Sequence, residues 1–199
     1  MAYFSTSFKR LMIFSLGLIT LLNMLHTVKA ADSTTESNTA NIDLLWMLIC
    51  AILVFMMQAG FMCLESGIIR NKNNINVALK NISDFGISIV CYWTVGYGFM
   101  FGVSKSGFIG FDDFFFDPTG TITSGPAMTF FIFQSMFCAT AASIISGSVA
   151  ERLKFNSYLV ITAIVGTILY PVVGHWAWAN SDDMFGGDGT TGWLYNLGF

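Results

Sequence analysis

Four long apolar segments dominate the chain, at about residues 44–64, 85–101, 128–149 and 158–178. Each crosses, or nearly crosses, a hydrocarbon core of about 30 Å at 1.5 Å per residue. Lipid offers no partner to a free backbone N–H or C=O, so such segments fold as helices or as closed barrels. A barrel strand would alternate apolar and polar side chains over about ten residues. These runs are continuously apolar instead. The pattern predicts an all-α fold, a polytopic transmembrane helix bundle.

Ahead of the four runs stands a shorter one. Lys9 and Arg10 precede an apolar stretch over 11–25, and Val28-Lys29-Ala30 sets small residues where a signal peptidase cuts. Residues 1–30 read as a signal peptide cleaved after Ala30. Residues 31–43 read as a polar extracytoplasmic linker, and 44–199 as the membrane domain. Charge gives the orientation. Arg70, Lys72 and Lys80 follow the first run, and Arg152 and Lys154 the third. Asp112, Asp113 and Asp117 follow the second with one basic residue, Lys105; Asp182, Asp183 and Asp188 follow the fourth with none. Basic loops stay in the cytoplasm. The mature N-terminus is therefore expected outside, where a cleaved signal would leave it. The protein is expected to be a multi-pass protein of the plasma (inner) membrane. The longer loop over 103–127 reads as an ordered external cap.

Composition narrows the function. Of 199 residues 54% are hydrophobic and 11% charged, against about 25% charged in soluble domains. The aromatic content argues against disorder. A net charge of −3 without a basic patch argues against nucleic acid as a partner. Cys50, Cys63, Cys91 and Cys138 lie in apolar runs without zinc spacing. No metal site or cofactor is expected. No GxSxG, HExxH or phosphate-binding glycine loop occurs, and His175 is the one histidine outside the signal segment. The chain does not read as an enzyme.

Three features inside the runs remain. Ser135, Ala139, Ser143 and Gly147 recur every four residues and mark a face for close helix contact. Glu65 and Asp84 stand near the inner ends of the first and second runs, as Glu151 does at the end of the third. They are expected to pair at the interface with Arg70, Lys72 or Lys80, or to serve a cytoplasmic exit. Phe130, Phe131, Phe133 and Phe137 stand on the outer half of the third run, with Tyr170, Trp176 and Trp178 on the fourth. An aromatic face can hold a small cation, worth about 1–2 kcal/mol when partly desolvated. Belt or lipid-facing aromatics would have the same composition.

Several ordered blocks carry a family resemblance. Phe55-Met56-Met57-Gln58-Ala59-Gly60-Phe61 with Ser66-Gly67-Ile68-Ile69-Arg70-Asn71-Lys72-Asn73 resembles the first span and inner loop of the Amt/Mep/Rh ammonium transporters. Phe133-Gln134-Ser135-Met136-Phe137, the stretch Gly147 to Phe155, and Tyr170-Pro171 with His175-Trp176-Ala177-Trp178 resemble their third and fourth spans. The resemblance covers about Asp43 to Phe199. It implies the N-terminal part of an eleven-helix fold with two inverted five-helix halves. It implies an ammonium/ammonia transporter, a homotrimer in full-length form and a PII-type regulator as partner. Trp178 would recruit ammonium and Phe137 would gate the pore, with Phe133 and Gln134 beside the site. Ammonium would then lose its proton, since a bare ion in the membrane interior is costly.

The match has departures. The two pore histidines of the family and the acidic residue early in its fifth span are not among these 199 residues. The sequence reads as a fragment holding about four helices. His175 is expected to serve packing or an interface hydrogen bond. The stretch Gln58 to Gly67 and Asn81-Ile82-Ser83-Asp84-Phe85 look closer to plant-type transporters and to the bacterial branch fused to signalling domains. The alternative reading is therefore an Amt-type ammonium sensor with a C-terminal signalling domain. An anchor-like membrane fragment without ligand is the third.

Overall fold

In the computed structural model the described residues are 35–104, 106–118, 124–179 and 191–199. The expected signal peptide, Lys105, Asp182, Asp183 and Asp188 lie outside them. The described residues contain helices and no strand. Helix α1 covers Thr35–Ile68. It starts nine residues ahead of the first apolar run, inside the stretch expected as linker. A 3-10 turn, Asn71–Asn73, follows. Helix α2 (Asn74–Cys91), a π-helical turn (Tyr92–Gly96) and α3 (Tyr97–Phe101) run on without a break as the second rod. Helix α4 (Ser124–Ser148) is the third rod. Helix α5 (Phe155–Ile164), a second π-helical turn (Val165–Leu169) and α6 (Tyr170–Trp178) form the fourth. Helix α7 (Trp193–Asn196) is a single turn. The chain divides into two compact units, Met1–Leu48 and Ile49–Phe199. Of the first, only the start of α1 is described.

Among the described residues three helices are long and apolar enough to cross a membrane: Thr39–Ile68, Gly125–Ser148 and Phe155–Trp178, with mean hydropathies of 2.4, 1.7 and 1.8. They contain the first, third and fourth of the expected spans. The second rod is helical throughout but does not qualify. Asp84 and a run of Tyr, Trp, Thr and Gly between Tyr92 and Gly98 dilute its apolar character.

Within the larger unit, α2 packs against α4 and α5. The small-residue face permits this. Ser135, Ala139 and Ser143 are essentially inaccessible, and Gly147 faces Glu65, whose Oε1 would lie 3.2 Å from an added Cβ. The second and fourth rods meet at their π-helical turns. A Cβ on Gly96 would sit 2.5 Å from the Gly166 carbonyl oxygen, so only glycine allows that approach. The turn at Val165–Leu169 has a local cause. Pro171 has no N–H for the Thr167 carbonyl and its ring crowds that carbonyl, which opens the helix one residue wider.

The described part of the 103–127 loop folds back along the second rod. Phe115 N donates to Thr94 O, Gly110 N to Phe99 O and Phe111 N to Val103 O, each at 3.0 Å. The Trp93 indole donates to Phe116 O at 2.9 Å. Phe116 stacks on Phe131 at 5.1 Å.

At the opposite end of the bundle the loops after α1 and α4 are joined. Arg70 Nε donates to both oxygens of Glu151, at 3.2 and 3.1 Å. Asn73 Nδ2 donates to Glu151 Oε1 at 2.7 Å. Glu151 has a φ of +62°, a left-handed conformation that a non-glycine residue holds only when its contacts fix it. The Arg70 guanidinium and the Asn73 amide hold its carboxyl down at about 2. The clamp is therefore complete above the ordinary carboxylate value of 4.5 and is lost as pH falls through about 2. At neutral pH, Glu151→Gln removes the charge. Trypsin is expected to cut the full-length variant after Arg70 and Arg152 faster than the wild type, because both loops are then free to open.

Candidate recruitment site

One cavity of about 320 Å³ lies at the α3 end of the bundle, lined by Phe101, Phe130, Phe133, Gln134, Phe137 and Trp178. Three rods build it. Helix α3 supplies Phe101, α4 supplies four residues and α6 supplies Trp178 from its last turn. Phe133 and Phe137 are one helical turn apart and share a face, and their rings meet edge to face at 4.9 Å. Phe101 stands edge to face with Phe130 at 4.8 Å. Trp178 is half exposed, and Tyr170 lies behind it with ring centroids 6.3 Å apart. The Tyr170 hydroxyl donates to Gln134 Oε1 at 3.3 Å, which fixes the one polar side chain of the wall.

All four residues singled out from the sequence, Phe133, Gln134, Phe137 and Trp178, line this cavity. Phe101 and Phe130 complete it. Of these, Phe130 belonged to the aromatic cluster read from the sequence, and Phe101 was visible only as the end of the second run. Phe131 and Trp176 go elsewhere. Phe131 packs with Tyr92, Tyr97 and Phe116. Trp176 donates its indole N–H to Phe108 O at 2.7 Å. His175 is buried beside the cavity wall and does not line it. Its Nδ1 meets Met100 O at 2.8 Å; a carbonyl only accepts, so Nδ1 carries a proton.

The lining has no charged side chain, five aromatic rings and one amide. Ring faces are negative and attract a cation that sheds part of its water. An anion finds no donor array here, and a strongly hydrated cation finds no carboxylate to replace its shell. The cavity suits a small, weakly hydrated cation with N–H donors. Among the described residues no cluster of His, Cys, Asp or Glu could hold a metal ion.

Residues 45–199 match the Ammonium Transporter Family. The chain belongs to that family. A Synechocystis sp. protein named for ammonium transport is 52% identical over 159 residues, covering 80% of this chain and 29% of its own length. Ammonium transporter Amt2 of Archaeoglobus fulgidus is 40% identical over 148 residues, covering 74% and 31%. A solved structure titled Sensor Amt Protein superposes with a TM-score of 0.75 at 43% identity, covering 82% of this chain and 39% of its own. The chain thus spans about a third of the length of the relatives it matches. Membership agrees with the all-α transmembrane fold and with a multi-pass membrane protein.

Proposed function

We propose that the full-length protein carries ammonium or ammonia across a membrane, and that the aromatic cavity is where the cation is recruited. The observation that carries the reading is the joint position of Phe133, Gln134, Phe137 and Trp178 on one uncharged cavity. Trp178 and Phe133 hold the cation by their ring faces. Gln134 accepts one of its N–H groups. Phe137 closes the floor to water. Arg70, Lys72, Arg152 and Lys154 sit on the loops at the other end, so the positive-inside bias turns the cavity outward. The homotrimer, the PII-type regulator and the cleaved signal peptide implied by the resemblance belong to the same proposal.

A second reading has a specific support, the likeness to the structure titled Sensor Amt Protein. There the cavity would bind the cation and a further domain would read it. Methylammonium separates the two. Full-length protein in lipid vesicles is expected to bind it and take it up. Binding without uptake selects the sensor. Neither binding nor uptake contradicts both.

A further inference from the structure

Between the rods, apart from the aromatic cavity, lies a polar cluster. Glu65 and Asp84 are 3% and 0% exposed. The sequence suggested interfacial pairs with the loop cations, but among the described residues the one ion pair is Arg70 with Glu151. Glu65 Oε2 accepts from the Asn81 amide at 2.8 Å and from the Ser146 hydroxyl at 2.9 Å. Asp84 Oδ2 accepts from the Tyr158 hydroxyl, and the Ser143 hydroxyl lies 3.5 Å away. The Tyr158 hydroxyl also reaches the Ala142 carbonyl oxygen, at 3.3 Å. Ser143 and Ser146, three residues apart on one face of α4, therefore bring the two carboxyls into one buried cluster to which α1, α2, α4 and α5 all contribute.

Other groups in the cluster limit its charge. Lys80, on α2, turns its ammonium to Leu153 O at 3.1 Å and over the Tyr158 ring at 5.6 Å. Helix α4 offers only the hydroxyls of Ser143 and Ser146, and α5 offers Tyr158. Glu65 Oε1 and Asp84 Oδ1 have no partner. Gln58, 8% exposed, points its amide into the cluster. Its Oε1 accepts from Ser143 at 2.6 Å, while its Nε2 has no partner. Two ionised carboxylates beside one ammonium would leave an uncompensated buried charge, which is strongly unfavourable. Coupled acids of this kind take and release protons as a pair.

We infer that Glu65 and Asp84 form a proton-binding site, in which the pair holds one proton: the proton neutralises one acid and leaves a single carboxylate to be matched by the Lys80 ammonium. The site stands apart from the aromatic cavity and does not depend on which function that cavity serves.

Infrared spectra of the full-length protein in lipid vesicles, at neutral pH and without ammonium, test this. The wild type is expected to show the carbonyl stretch of a buried protonated carboxylic acid, shifting to lower frequency in heavy water. Either Asp84→Asn or Glu65→Gln alone removes the band, because the remaining acid is then matched by Lys80. A merely structural hydrogen-bond role predicts no such dependence on both residues. Absence of the wild-type band, its failure to shift in heavy water, or its survival in both single variants overturns the proposal. If neither variant folds, the wild-type band and its isotope shift decide alone.

Discussion

Methylammonium uptake by the full-length protein is expected to fall about tenfold when Trp178 is replaced by Leu. The expectation follows from what the indole contributes. An aromatic face against a partly desolvated cation is worth about 1–2 kcal/mol, and about 1.4 kcal/mol is a factor of ten in an equilibrium constant. Leu keeps apolar bulk but has no quadrupole. Phe133 and Gln134 remain, so uptake falls and is not abolished. The loss appears at low substrate, where recruitment limits the rate, and shrinks as the cavity saturates. Trp178→Phe keeps a smaller ring and loses less. Trp178 is half exposed, so neither change should alter folding. Thermal unfolding of the variants in detergent, unchanged beside the altered uptake, separates recruitment from packing. Equal uptake by Trp178→Leu and wild type would remove the indole from the account.

The second large effect is structural. Ser143→Leu is expected to destabilise the protein by about 3 kcal/mol, read as a lower unfolding temperature of the full-length protein in detergent. Ser143 is fully buried, in the face of α4 that packs against α2. Extra methylenes in a closed contact cost about 1–3 kcal/mol. The change also deletes a hydroxyl that donates to Gln58 Oε1 at 2.6 Å, leaving a buried acceptor without a partner at about 1–3 kcal/mol. Ser143→Ala removes the hydroxyl without adding bulk. It should cost about 1 kcal/mol, so the gap between the two variants measures the closeness of the helices.

That face was legible in the sequence, because a four-residue repeat of small side chains maps directly onto one side of a helix. The apolar runs were legible for the same kind of reason. The second rod was less so. Its apolar stretch begins at Phe85, yet the helix starts at Asn74, and Asn81 and Asp84 face inward where Glu65 and Tyr158 partner them. Glu65 and Asp84 misled in the same way. Their sequence positions put them near loop cations, but the small face of α4 lets the rods close over them, and the loop cation Arg70 goes to Glu151. Within the candidate site, Phe133 and Phe137 could be paired from spacing alone, since both lie on α4. Trp178 stood in the aromatic cluster read from the residues, and its role, like Gln134, came from the family resemblance. Phe101 could not be placed, because its part in the wall depends on how α3 sits against α4, and no local pattern encodes that register. His175 was expected to pack or hydrogen-bond. It does so in the interior, to Met100 O.

The central claim is that Phe133, Phe137 and Trp178 form an outward-facing cavity for ammonium. It is tested most directly by thiol labelling of Phe133→Cys in the full-length protein, with a membrane-impermeant reagent and mass spectrometry to resolve the new thiol from the native cysteines. The account predicts labelling from the extracytoplasmic side that ammonium slows and sodium does not. Labelling from the cytoplasmic side alone, or labelling that ammonium leaves unchanged, would contradict it.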